Sequence, residues 1–235
     1  MTEVIKDYLV FVVFLKDSGT KLVDLLTEVY YNYTWVSKMI ISTKELLVKY
    51  NNYKVPKMKI KREIEEGKYI ELKRGLYETD ANADPMLLAG YLCSPSYLSF
   101  EYVLSTYGLI PETAYTYTSA TLNKRHTYSY KNKFGNYSYR DIPSSAFPYG
   151  ISHKVENGYS YVIASREKAL CDLLYTMPSV NSVKRIKQLL FDNLRIDEIE
   201  FKNLDMDDLI FLCDLYKNKN LYFLKKYITG GAVNG

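Results

Sequence analysis

The stretch 42–77, STKELLVKYNNYKVPKMKIKREIEEGKYIELKRGLY, leaves this chain little freedom in how it can fold. Ser42 is followed three residues later by Glu45, the reciprocal capping pattern that opens a helix. Leu46, Leu47 and Tyr50 then fall on one side of a short helix, which Asn51-Asn52 breaks. Pro56 suits the first turn of a second helix, because it lacks the N–H that would have no partner there. Ile60 and Ile64, one turn apart, give that helix a buried stripe, and Gly67 ends it in the position just past the cap. Tyr69-Ile70-Glu71-Leu72 and Leu76-Tyr77 read as the strands of a tight hairpin turning at Lys73-Arg74-Gly75.

The charges on this stretch point to a polyanion. Lys57, Lys59, Lys61 and Arg62 lie on the second helix, off its isoleucine stripe, and Lys73 and Arg74 sit at the hairpin tip. A helix with basic solvent positions followed by a basic hairpin tip is what a winged helix-turn-helix presents to DNA. Lysine and arginine would supply the phosphate contacts that release counterions. Ser42, Thr43 and Lys44, at a helix N-terminus, add a candidate phosphate site through their backbone N–H groups. The competing reading is a solvated surface helix, since Glu63, Glu65 and Glu66 share it.

The net charge of the 235-residue chain is only +4, so a polyanion partner has to be argued from local charge. Its length admits two small domains or one large one, and its 47% hydrophobic and 25% charged content is that of a globular protein. The 25 tyrosines suit strands and recognition surfaces, although an A/T-rich coding bias accounts for them equally well. Cys93, Cys171 and Cys213 are odd in number and widely spaced, which fits a reducing cytoplasm and no disulfide framework. The longest apolar run, residues 8–15, is too short to span a bilayer and lacks the features of a signal peptide, so no membrane or export role is expected.

Residues 1–38 read as an N-terminal extension of uncertain role, with helical spacing over 21–31. After a polar connector at 80–84, Asp84-Pro85 opens a helix that Ser94-Pro95-Ser96 ends, and Ser99 caps another that Gly108 closes. From Thr113 the period changes to two, predicting a mostly antiparallel sheet over 113–164 with a hairpin at Asn157-Gly158. Between Thr113 and Arg140 there is no acidic residue, whereas Lys124, Arg125, Lys131 and Lys133 make one basic, tyrosine-rich surface. That surface suits a nucleic-acid backbone, an acidic protein or plain solvent. A capped helix follows over 165–174, with Ala169, Leu170, Leu173 and Leu174 as its buried stripe. Helices are then expected over 183–194, 205–216 and 221–228 before a disordered tail at 230–235; Lys184, Arg185 and Lys187 crowd the first of them. The predicted class is α+β: a winged helix-turn-helix at 39–80, then a C-terminal domain of antiparallel sheet with helices at 84–229.

No catalytic set stands out. His126 and His153 lie alone in alternating strands, and no metal-ligand spacing, phosphate-cradling glycine motif or serine elbow is present. The expectation is a protein that is not an enzyme and needs no cofactor or metal.

Several motifs in order resemble AbiEi-type antitoxins of bacterial abortive-infection toxin–antitoxin systems. They are Arg74-Gly75-Leu76-Tyr77 at the end of the basic winged helix, Tyr97-Leu98-Ser99 before a helix closing in Tyr107-Gly108-Leu109, and Lys168-Ala169-Leu170-Cys171-Asp172-Leu173-Leu174 after the sheet. The resemblance covers residues 39–228, and Tyr102-Val103-Leu104 departs from it where the family often has Ser-Ala-Leu. It implies binding to inverted repeats in promoter DNA, autorepression of the operon as a monomer or weak dimer, and counteraction of a cognate nucleotidyltransferase toxin. On this chain it gives groove and phosphate contacts to Lys57, Lys59, Lys61 and Arg62 and wing contacts to Lys73 and Arg74. Charge alone suggests Lys124, Arg125, Lys131, Lys133, Lys184, Arg185 and Lys187 for a partner surface. Two alternatives stay open: a stand-alone DNA-binding regulator whose C-terminal domain senses a ligand or protein, and an interaction protein with a vestigial helix-turn-helix.

Overall fold

Two β-sheets with helices around them make an α+β architecture, seen in a computed structural model that describes residues 39–124 and 126–231. The expected N-terminal extension (1–38) and Arg125 lie outside the described residues. The first sheet has three strands, β1 (Ile40–Ser42), β2 (Ile70–Lys73) and β3 (Leu76–Glu78), in the order β1-β3-β2. Between β1 and β2 run α1 (Thr43–Lys49) and α2 (Pro56–Glu65).

Local chemistry sets these boundaries as the sequence indicates. The Ser42 hydroxyl accepts from Glu45 N while the Glu45 carboxylate accepts from Ser42 N, completing the capping box. Pro56 opens α2. Gly67, at φ +76°, closes it: Gly67 N donates to Ile64 O and Lys68 N to Glu63 O, the paired bonds of a left-handed C-terminal cap. Leu46, Tyr50, Ile60, Tyr69 and Tyr77 form the small core of this unit. Glu63 also turns inward, and Lys59 and Lys68 neutralise it there.

The larger sheet is mostly antiparallel, as expected, but two of its pairings are parallel. Its strands β4 (Ser96–Leu98), β5 (Thr116–Thr121), β6 (Tyr128–Asn132), β7 (Gly135–Asp141), β8 (Ile151–Glu156) and β9 (Tyr159–Ala164) run in the order β6-β7-β5-β4-β9-β8. The hairpins β6–β7 and β8–β9 are antiparallel as expected, and β4 pairs β5 antiparallel, but β5 pairs β7 in parallel and β4 pairs β9 in parallel. Strand β4 was not expected; three residues are too few to carry an alternating signal. It joins the two hairpin halves, so the sheet depends on it. The β8–β9 turn is Asn157-Gly158 with φ +50° and +81°, the left-handed pair that a two-residue hairpin needs.

Helix α3 (Pro85–Leu92) covers one face of this sheet and α4 (Phe100–Thr106) the other. The alternation of β7 sorts its side chains accordingly. Tyr137 and Tyr139 donate to Pro85 O and Ala89 O of α3, while Arg140 turns the other way to Glu101 of α4. Leu87, Leu88 and Leu92 of α3 are fully buried, each contributing ~1.5–3 kcal/mol relative to exposure. Behind α4 pack α5 (Arg166–Thr176), α6 (Val183–Gln188), α7 (Glu198–Lys202), α8 (Met206–Leu215) and α9 (Lys219–Gly231). Residues 189–193 continue α6 as a wider π turn, α7 is a short helix not anticipated, and α9 carries residues 230 and 231 that were expected to be disordered.

One further expectation is corrected. Ser99 occupies the cap position of α4, but its side chain makes no capping bond. Its hydroxyl donates instead to Asp172, and the Thr118 hydroxyl of β5 accepts from Tyr102 N in its place.

Candidate functional site

The small unit exposes a set of cations, with Glu45, Glu65, Glu66 and Glu71 exposed among them. Lys57, Lys61 and Arg62 on α2 are exposed, as are Lys44 on α1 and Arg74 at the hairpin turn. Lys54, in the turn between α1 and α2, is exposed too and was not singled out from the sequence; its place two residues before Pro56 was the available signal. Lys61 faces Glu65 across 3.7 Å, but both side chains are well exposed, so this pair is weak and yields readily to a competing anion. Ammonium and guanidinium groups arrayed in this way offer charge-assisted hydrogen bonds to phosphate oxygens.

Other residues expected in this set have partners of their own. Lys59 pairs with the buried Glu63, and its Nζ lies 5.7 Å from the Tyr53 ring centroid. Lys59 therefore neutralises the inside of the unit more than it serves the outside. Ser42 N is bonded to Glu45 and Thr43 N donates to Gly75 O at 2.9 Å. Of the N–H groups proposed to hold a phosphate at residues 42–44, those of Ser42 and Thr43 are thus taken by the chain's own oxygens.

Lys73 is half-buried and donates to Leu92 O at 2.7 Å, at the C-terminal end of α3. Burial pushes its pKa down. It ties the hairpin to the larger unit, while its neighbour Arg74 stays in solvent. Gly75, at φ +84°, permits this tight turn. A second tether runs from Asn132 Nδ2 on β6 to Leu72 O, at 3.0 Å.

The second basic cluster is divided. Lys124 donates to Ser94 O at 2.7 Å and is half-buried, whereas Lys131 and Lys133 are exposed on the edge strand β6 and its turn, on either side of Asn132. The tether to Leu72 brings the end of β6 beside the hairpin. Lys184, Arg185 and Lys187 are exposed on α6, in the helical layer, with Arg185 bonded to Gln188 at 3.0 Å. His153 meets Ser160 across β8–β9. Among the described residues no group of His, Cys, Asp and Glu is arranged to hold a metal ion, and no helix is long and apolar enough to cross a membrane.

The larger unit holds a fully buried polar network that the sequence did not reveal. Asp172 Oδ2 accepts from Tyr97 Oη at 2.9 Å and Ser99 Oγ at 2.6 Å; Oδ1 accepts from Tyr216 Oη at 2.6 Å and faces Lys168 Nζ at 3.1 Å. Lys168 also donates to Ala146 O at 2.8 Å. Burial drives the Lys168 pKa down against the pull of Asp172, and pushes the Tyr97 and Tyr216 hydroxyls well up. The Cys171 and Cys213 thiols meet beside it, and burial raises Cys171 as well. The i, i+4 pair Lys168/Asp172 was the legible clue, because the helix stripe assigned both residues to the outside. Two of the motifs noted in the sequence, Tyr97-Leu98-Ser99 and the 168–174 run, meet in this network.

No protein-family model matches the chain, and no curated protein matches it.

Proposed function

We propose that this chain is a cytoplasmic DNA-binding antitoxin that represses its own promoter and counteracts a partner nucleotidyltransferase toxin. The observation that carries the DNA-binding half is the exposed cationic set Lys54, Lys57, Lys61, Arg62 and Arg74 on consecutive elements of one small unit. The order β1-α1-α2-β2-β3 is that of a winged helix-turn-helix from its first strand onward, with α2 as the groove helix and the β2–β3 turn as the wing. Lys57, Lys61 and Arg62 then contact groove and phosphates, Arg74 contacts the flanking backbone, and Lys131 and Lys133 extend the cationic track. Lys73 holds the wing in place from behind.

The antitoxin half rests on the resemblance. What supports it is that two of its motifs, about 70 residues apart, belong to one buried network, so they act as a unit of the fold. The partner surface is kept to the exposed cations Lys131, Lys133, Lys184, Arg185 and Lys187.

The test is a mobility shift on DNA from just upstream of the gene, across a salt series, with wild type and a Lys57→Ala/Lys61→Ala/Arg62→Ala variant. Specific binding by wild type should fall steeply with salt, and the variant should lose about one unit of log–log slope for each phosphate contact removed. Binding no better than to random DNA would remove the repressor claim. Co-expression with a neighbouring nucleotidyltransferase gene tests the other half: failure to restore growth would leave a stand-alone regulator.

A further inference from the structure

Among the exposed cations lies an apolar island that phosphate binding does not explain. Tyr53 is 46% exposed, Val55 52% and Met58 59%, within six residues of the α1–α2 turn and the first turn of α2. Exposed apolar residues are ordinary when scattered. Here they are interleaved with Lys54 and Lys57, and Met58 shares its helix face with Lys61 and Arg62 at i+3 and i+4. Tyr53 is held from behind: its ring packs edge-on against the buried Tyr50 at 5.7 Å, with Lys59 Nζ over its face. The island is therefore partly fixed in place.

Phosphate contacts position a protein on a duplex without reading its sequence, which is read at base edges. From Val55 to Glu65 the chain has no Asn, Gln, Ser or Thr. On α2 the groups able to read base edges are thus the charged side chains, Lys57, Lys61, Arg62 and Glu65 among them, and the exposed apolar ones. In the major groove the apolar feature of a base edge is the 5-methyl group of thymine.

Resting on the DNA-binding reading above, we infer that Tyr53, Val55 and Met58 recognise thymine methyl groups in the major groove, so that the chain selects thymine-bearing steps under the start of α2. The lysines and Arg62 around the island hold it against the groove, and the polyanion matches their charge.

Full-length protein is used to select binders from a random double-stranded pool. The selected duplexes are remade with deoxyuridine for thymidine, a change that removes the 5-methyl groups alone. The expected result is ~4-fold weaker binding for each contacted methyl lost, from the free energy of burying one such group. A Val55→Ser/Met58→Gln variant should show a smaller difference between the two duplexes than wild type and keep the salt dependence of wild type. Equal binding of both duplexes by wild type, with steep salt dependence intact, overturns this inference alone. No salt-dependent binding to any pool overturns the DNA-binding reading beneath it. A variant that loses thermal stability and binds both duplexes poorly would assign the island to packing within the chain, which also overturns it.

Discussion

Lys168 and Asp172 stand one turn apart on α5, both fully buried, with Nζ 3.1 Å from Oδ1. Their situations are unequal. Asp172 accepts three hydroxyl bonds, from Tyr97, Ser99 and Tyr216, whereas Lys168 otherwise has Ala146 O and the Tyr216 hydroxyl. Gly150, at φ +65°, makes room for it, since a Cβ there would stand 2.8 Å from Lys168 Cβ.

The inequality predicts an order of damage. Asp172→Leu strands a buried ammonium and three hydroxyls, and should cost about 3–5 kcal/mol. Lys168→Met leaves a carboxylate still bonded to three donors and should cost less, about 1–3 kcal/mol. Urea denaturation of the two variants checks this; equal losses would mean that the hydroxyls contribute little to holding the charge of Asp172.

Thr118 performs the capping that Ser99 does not. Its hydroxyl accepts from Tyr102 N at 3.0 Å and donates to Ser99 O at 2.6 Å. Thr118→Val keeps the shape and removes both bonds, so a loss of about 1–2 kcal/mol is expected by denaturation. No loss would show that α4 starts without a side-chain cap.

Glu63 gives the small unit an acid limit. Hydrogen bonds from Lys59 and Lys68 hold its carboxyl down to about 2, from an ordinary 4.5. A folded value below the unfolded one means that the unfolded state binds protons first as pH falls. The stabilisation is therefore complete above pH 4.5 and is lost between 4.5 and about 2. Thermal melts across that range should show this loss, and Glu63→Gln should be less stable at neutral pH and flatter in acid. A wild-type curve no steeper than that of the variant would exclude the role.

Lys73 and Arg74 are neighbours with different tasks. Lys73→Met removes the bond to Leu92 O and should cost about 1 kcal/mol of stability. Arg74→Ala, at an exposed position, should leave stability unchanged while weakening binding to a duplex and lowering its salt slope by about one. Melting temperature and a binding isotherm for each variant separate the two. A destabilised Arg74→Ala, or an unaffected Lys73→Met, would reverse the assignment.

Much of the small unit was legible because its signals are local. Ser42/Glu45, Pro56, Gly67 and Gly75 each act within a few residues, and each acts as the sequence indicates. Exposure was less legible. Lys57, Lys59 and Lys73 look alike in a sequence, yet only Lys57 is left to solvent, because Glu63 turns inward to meet Lys59 and the end of α3 arrives beside Lys73. The hydroxyl of Ser99 was read as a cap for the same reason: its acceptor lies 73 residues away.

By itself the sequence determined the ends of α1 and α2, the hairpins, the α+β class and the cationic character of α2, all consequences of backbone preference and short-range hydrogen bonding. Tertiary structure alone decided that β4 would join the hairpins into one mixed sheet, that Lys168 and Asp172 would both lie inside, and that Lys73 and Lys124 would bond to carbonyls instead of facing solvent. The physical reason is desolvation: a polar group leaves water when distant segments supply its partners, and that supply is set by packing and not by its neighbours in the chain.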